Sequence, residues 1–429
     1  MKTVLSRAVC AITPTESELS AELRFAELLR SHIQANAPQR CSVVVTGSIA
    51  KRTFLRDKRD VDIFMLFDRS VPRDGLEPAV KELMRVAFPG LGYQLSYAEH
   101  PYVRFHFEGR RIDLVPAYKI TDASQRLSAV DRSVLHTKFV MRCLQKKKRG
   151  DVLLLKQFLR ADSLYGAEIK IEGFSGYLCE LLIIAYGGFI GLLRAASRWD
   201  GQVFIDIRGH HEGRKAISGM IAKMDSGFIV IDPTDKDRNV AAAVSEKNLK
   251  RFISLAKAFL KRPSDSFFFR KNETFEEQVA RASKGRTALL LSMPRPDIVD
   301  DILWGQLHKM RAQLESHLED FEPKAIIADD SRHLVRLAMI LGKDRLPKRM
   351  LLAGPPLSMK KHAEQFRKSH KGGRLVVKKG KIFADVRRRT SGAEGAVRAF
   401  FHYFSKTKSH LAYPEEMVLL ERLDTKKKR

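Results

Sequence analysis

GSIAKRTFLRDKRDVD, residues 47–62, sets a glycine-serine turn and a short basic segment ahead of two aspartates, Asp60 and Asp62. The six residues before it, CSVVVT, are apolar and β-branched and read as a buried strand that empties into the turn at Gly47. Ser48 then opens a short helix reaching Leu55. After the charged turn RDKR, the run DVDIFMLF (60–67) forms a second strand. Side chains two apart on a strand share a face, so Asp60 and Asp62 project together with Val61 and Ile63 behind them.

A third carboxylate comes from YVRFHFEGRRIDLVP (102–116), where two alternating runs flank the turn at Glu108, Gly109 and Arg110. This spacing predicts a hairpin whose second arm brings Asp113 toward the first two. An aspartate pair alone often marks nothing more than a solvated strand end. Here strand, Gly-Ser turn, basic helix, Asp-x-Asp strand and later aspartate occur in one order, and that order points to nucleotidyl transfer. A Gly-Ser turn offers N–H groups and a hydroxyl to a triphosphate. Three neighbouring carboxylates repel one another unless a hard cation joins them, so the set calls for Mg2+, two per active site. One metal, on Asp60 and Asp62, would take the nucleotide phosphates, and the other, shared with Asp113, would activate an RNA 3′-hydroxyl for attack at the α-phosphate.

Charge names the class of partner. Lys and Arg total 78 against 50 for Asp and Glu, a net +28 over 429 residues, so a polyanion is expected. That length suggests about three domains. The N-terminal stretch has no apolar core of signal-peptide length and no segment approaches the roughly 20 apolar residues of a membrane span, so we expect a soluble, cytoplasmic protein with no membrane partner. Cys10, Cys41, Cys143 and Cys179 show no CxxC or zinc-site spacing and read as reduced thiols. The sequence allows a homodimer without specifying one.

Along the chain, Thr15 and Glu18 form a capping box ahead of Leu19, Leu23, Ala26 and Leu29, predicting a helix over 15–31. The basic run QKKKRGD (145–151) marks a boundary, either a solvated linker or an RNA-facing one, and 151–161 and 176–197 have the apolar density of core helices. Within DVLLLKQFLRADSLYG, Lys156 interrupts an apolar pattern, so its ammonium reaches either solvent or an anion; with Tyr165 it is a candidate triphosphate clamp. Further on, Val299, Leu303, Leu307, Met310, Leu314 and Leu318 predict a helix over 296–318 with one apolar face. KAIIADD and RLVVKKGKIFADVRRR read as strands with basic outer faces, and the terminal TKKKR as a disordered tail.

GSIAKRT with DVDIF, AEHPYV, RIDLVPAYKI, SAVDRSVLHTKF, LYGAEIKIEGFSGYLCELLI, DPTDKDRNVAAAVS, RPDIVDDILWGQL and GPPLSMKKHAEQF together resemble the archaeal, class I CCA-adding tRNA nucleotidyltransferases of the polymerase β-like superfamily, over nearly the whole chain. The resemblance implies a multidomain α+β enzyme. Its parts would be a head (1–144) built on a mixed antiparallel sheet, a helical neck (145–258), and an α+β body and tail (259–429) holding the tRNA acceptor stem and T-arm. It implies untemplated addition of C, C and A from CTP and ATP, and repair of incomplete tRNA ends. Asp60, Asp62 and Asp113 match the family's metal-binding carboxylates; Gly47, Ser48, Lys51, Lys156 and Tyr165 match its triphosphate site; Glu99, His100, His136 and Arg238 lie in motifs near base or ribose. There are departures: the family commonly has glutamate where this chain has Asp60, and Lys51 can be arginine. Aspartate still supplies hard oxygen ligands, and lysine still supplies a point charge without arginine's fork. The stretch between Trp199 and Asp232, including HHEGRK, is hard to match in register. The rival readings are a poly(A) polymerase or other RNA terminal transferase, which would lack the later strings, and a non-catalytic RNA-binding protein, which would not need the carboxylates.

Overall fold

The computed structural model describes residues 1–97, 101–270 and 273–423, and the chain falls into two units, Met1–Asn272 and Glu273–Arg429. Glu99, His100 and the TKKKR tail lie outside the described residues.

In the first unit, alternation builds a five-stranded mixed sheet from β1 (Ser42–Val45), β2 (Val61–Phe67), β3 (Tyr93–Tyr97), β4 (Pro101–Phe107) and β5 (Arg110–Tyr118), ordered β1-β2-β5-β4-β3. The two runs around Glu108 and Gly109 form the expected hairpin; both turn residues have positive φ, 45° and 70°, as a two-residue turn between right-twisted strands requires. β2 and β5 pair in parallel, the other neighbours antiparallel. Odd-numbered β2 residues Val61, Ile63, Met65 and Phe67 are buried on the face that also holds Ile112 and Leu114. That face is covered by Ala26, Leu29 and Ile33 from one helix and Val80, Leu83 and Met84 from another. Burying such side chains stabilises the fold by about 1.5–3 kcal/mol each. Phe64 and Leu66 lie on the opposite face with Ala117, and the pleat puts Asp60 and Asp62 on that same side.

Before the sheet come α1 (Lys2–Ile12) and α2 (Glu16–Asn36). The Thr15–Glu18 capping box opens α2, which runs past the expected 31 because Ile33 continues its apolar stripe. The turn after β1 is α3 (Gly47–Lys51). It is shorter than the expected run to Leu55, since Arg52 turns left-handed at φ 57° and Thr53 N–H bonds back to the Ser48 carbonyl. After β2 follows α4 (Leu76–Ala87), and after β5 α5 (Ser133–Cys143).

QKKKRGD forms a 3-10 turn running into α6 (Arg149–Arg160). The apolar stretch from 176 is two helices, α7 (Gly176–Tyr186) and α8 (Phe189–Ala196), bent by 89°. Gly187 and Gly188 (φ 69° and 143°) make the break, and Asp151 accepts from Phe189 N–H at the new helix start. Among the described residues no single helix is long and apolar enough to cross a membrane. β6 (Val203–Ile205), α9 (Arg214–Met224), β7 (Phe228–Asp232), β8 (Asp235–Asn239) and α10 (Glu246–Lys261) complete the unit, so the stretch left unregistered by sequence becomes part of a small three-stranded sheet. α1 and α5 join α6, α7, α8 and α10 in one apolar core, so residue 144 lies inside a continuous unit.

The second unit comprises α11 (Phe275–Ala282), β9 (Thr287–Pro294), α12 (Asp300–His317), β10 (Pro323–Asp330), β11 (Leu334–Leu341), β12 (Arg349–Pro356), α13 (Lys360–Ser369), β13 (Arg374–Lys378), β14 (Lys381–Arg387), α14 (Ala393–Phe404) and β15 (Leu419–Leu423). α12 starts later than expected, with Val299 as its N-cap, and buries Leu303, Leu307, Met310 and Leu314 as read from the sequence. With α14 it covers the sheet β10-β11-β9-β15. A separate sheet, β12-β14-β13, carries exposed Arg374, Lys378, Lys381 and Arg387.

Candidate active site

Gly47 stands at φ 67°, and a Cβ there would lie 1.8 Å from Asp62 Oδ2 and 2.7 Å from its Cγ. Only glycine lets the turn after β1 close over this carboxylate, held by a Thr46 N–H bond to the Asp62 carbonyl at 2.9 Å. Asp113 is the direct register partner of Asp62 across the parallel β2 and β5 pair. Ser48, half-buried, follows on the same turn.

The carboxylates share a face, but their side chains do not close on one point. Arg104, opposite Asp113 on β4, donates from Nε and Nη2 to its two oxygens at 2.7 and 2.8 Å, and Arg111 donates to Asp60. Among the described residues no group of three acidic, histidine or cysteine side chains stands at metal-ligand spacing. The Asp62 carboxylate accepts no hydrogen bond from the described residues. Burial first, then the charges of Asp113 and Asp60, push its pKa from 3.8 up to about 6, with Lys51 and Arg111 working the other way. An ionised Asp62 is therefore strained until positive charge arrives, and its hard oxygens suit a divalent cation.

Lys51 and Lys156 come together at Glu180, and both are largely buried. Lys156 is 2 % exposed; its Nζ donates to the Thr53 carbonyl at 2.8 Å and lies 3.7 Å from Glu180 Oε1. Lys51 Nζ donates to Glu180 Oε2 at 2.6 Å. Of the two destinations the sequence left open for Lys156, solvent is thus excluded. The Tyr165 hydroxyl belongs to the same place: a Cβ on Gly176 would lie 3.1 Å from it and 3.6 Å from Lys156 Nζ.

His136 and Arg238 meet at Asp232, which has no exposed side-chain surface. His136 Nε2 and Arg238 Nη1 each donate to Oδ2 at 2.8 Å, the Tyr177 hydroxyl donates to Oδ1 at 3.1 Å, and Thr234 donates through both N–H and Oγ1 at 2.9 Å. The His136 and Tyr177 rings stack at 4.1 Å. Burial would raise the Asp232 carboxyl, yet His136, Thr234 and Arg238 hold it well below the ordinary value; burial keeps His136 below its own.

Reading residues in sequence missed Glu180, Thr53, Tyr177 and Asp232. Two of them left a signal. Glu180 is the one charged side chain in GYLCELLIIAY, and Asp232 ends the apolar strand FIVID; a buried acid in either place needs partners.

Comparison with known proteins covers the whole arrangement. Residues 27–136 match the nucleotidyltransferase domain, 150–269 the second domain of tRNA nucleotidyltransferase, and 284–410 the C-terminal domain of the CCA-adding enzyme. The CCA-adding enzyme of Methanocaldococcus jannaschii is 36% identical over 90% of this chain and 88% of its own. Those of Methanosarcina mazei (34%, 90% and 86%) and Halobacterium salinarum (35%, 85% and 80%) are similar. With three domain matches in succession and relatives aligned along nearly their full length, the chain belongs to the CCA-adding enzymes, the tRNA nucleotidyltransferases with this C-terminal domain.

Proposed function

We propose that this protein adds C, C and A to the 3′ end of tRNA from CTP and ATP without a template, releasing pyrophosphate, and by the same reaction repairs incomplete ends. The observation that carries the reading is Asp62 wedged under the Gly47 turn with Asp113 beside it in register, within a chain of the CCA-adding family. Asp60, Asp62 and Asp113 would hold Mg2+, two ions per site, which would neutralise phosphate charge and lower the pKa of the attacking hydroxyl. Arg104 and Arg111 pair with Asp113 and Asp60, and those oxygens would have to be released to hold a cation. Ser48, Lys51, Lys156 and Tyr165 grip the triphosphate. Lysine there acts as a point charge and so binds both nucleotides alike. Asp232 holds Arg238 and His136 in place for the base and ribose.

In domain terms, 1–144 is the catalytic head and 145–258 the neck that completes the nucleotide pocket. Residues 259–429 bind the acceptor stem and T-arm through phosphates and A-form shape, consistent with the exposed basic residues of β13 and β14. The setting is the cytoplasm. A minihelix of acceptor stem and T-arm should therefore be extended nearly as well as whole tRNA, with affinity falling steeply as salt rises. Equal extension of unstructured RNA with the same 3′ nucleotides would instead make the protein a general terminal transferase.

The pocket roles separate kinetically. Lys156→Ala should raise KM for CTP and ATP together, by about tenfold or more, because a phosphate contact cannot tell the bases apart. Arg238→Ala should shift the ratio of CTP to ATP use. If Lys156→Ala altered the use of ATP alone, Lys156 would belong to base readout.

A further inference from the structure

Glu180 is fully buried on α7, with no exposed side-chain surface. A carboxylate in such surroundings costs several kcal/mol unless it is paired. Lys51 Nζ and Thr53 Oγ1 each donate to it at 2.6 Å, and Lys156 Nζ stands 3.7 Å away. Its partners come from α3, from the loop after α3 and from α6, so one carboxylate ties the Gly47 turn to the helical core. Burial alone would raise the Glu180 carboxyl; Lys51 and Lys156 together hold it below its ordinary value, so it is ionised.

Two ammoniums against one carboxylate leave one net positive charge in this place. Each ammonium has three donors, and Lys51 spends one on Glu180. The charge of Lys51 also offsets that of Asp62. Lys51 keeps donors beyond the one it spends on Glu180, while Lys156 gives two to the Thr53 carbonyl and hydroxyl. A carboxylate that only filled a gap in the core would not need two cations.

We infer that Glu180 is a positioning residue for the nucleotide triphosphate: it touches no substrate, and it fixes Lys51 and Lys156 side by side so that both meet the phosphates of CTP or ATP. The inference rests on the triphosphate reading of those two lysines given above. Without Glu180 the two ammoniums repel each other and turn apart.

Glu180→Gln keeps the shape and an acceptor for Thr53 while removing the charge. KM for CTP and ATP should rise together by about tenfold or more, with kcat changed far less. Glu180→Asp keeps the charge with a shorter reach and should give a smaller rise in KM. If the Gln variant does not fold, the Asp variant carries the test, and an unchanged KM there overturns the inference. Lys156→Ala measured alongside separates the two layers of the reading. If it leaves KM unchanged, the triphosphate assignment itself fails. If it raises KM while a folded Glu180→Gln leaves KM unchanged, or only lowers the melting temperature, Glu180 is a structural residue and the inference is wrong.

Discussion

Asp62→Ala, and separately Asp113→Ala, should reduce nucleotide addition by about 10³-fold or more while tRNA affinity stays within about twofold. Asp62 is enclosed by the Gly47 turn and Asp113 is its register partner, so neither carboxylate is exchangeable for a neighbour on the sheet. If these carboxylates hold metal, losing one should remove several kcal/mol of transition-state stabilisation, and about 4 kcal/mol corresponds to 10³ in rate. RNA affinity should have a different source, the net charge of +28, which favours phosphate contact. Activity within about tenfold of the parent, measured by single-turnover extension of tRNA lacking its end, would remove these residues from the chemistry.

Gly47→Ala should be nearly as damaging, on the order of 10²-fold or more in activity. The methyl group would fall 1.8 Å from Asp62 Oδ2, and the backbone would have to hold an L-residue at φ 67°. Either the turn opens, moving Ser48, or Asp62 rotates off the shared face. A displacement of about 1 Å in a positioning group can cost 10² in rate. The loss should appear in activity more than in melting temperature. A fully active Gly47→Ala enzyme would mean that the turn and Asp62 do not act as one unit.

How much of this could be read from sequence follows from the range of each interaction. The pleat is local and has period two, so residues 60–67 placed Asp60 and Asp62 on one face and Val61 and Ile63 on the other. Turn chemistry is local too, and Glu108 with Gly109 gave the hairpin. Helix ends were less legible: α3 stops at Lys51 through a left-handed Arg52, and the apolar run from 176 bends at two glycines, neither visible in hydrophobic pattern alone. Least legible were the buried charges. The partners of Lys156 lie 103 positions away at Thr53 and on α7 at Glu180, and Asp232 meets His136 across 96 positions. Periodicity has no access to contacts at such separation. Asp113 presented the same difficulty in milder form. Strand order brought its backbone beside Asp62, but pairing with Arg104 is a property of β4 that the Asp-x-Asp pattern does not contain.

On this reading one site adds C, C and A in sequence to tRNA and then stops. Incubating the protein with tRNA lacking its last three nucleotides, with CTP alone, with ATP alone and with both, and sizing the products, tests it most directly. Two cytidines are expected from CTP alone, no efficient addition from ATP alone, and a discrete three-nucleotide product ending in A when both are present. An open-ended tail of either nucleotide, or equal use of ATP on the bare end, would contradict it.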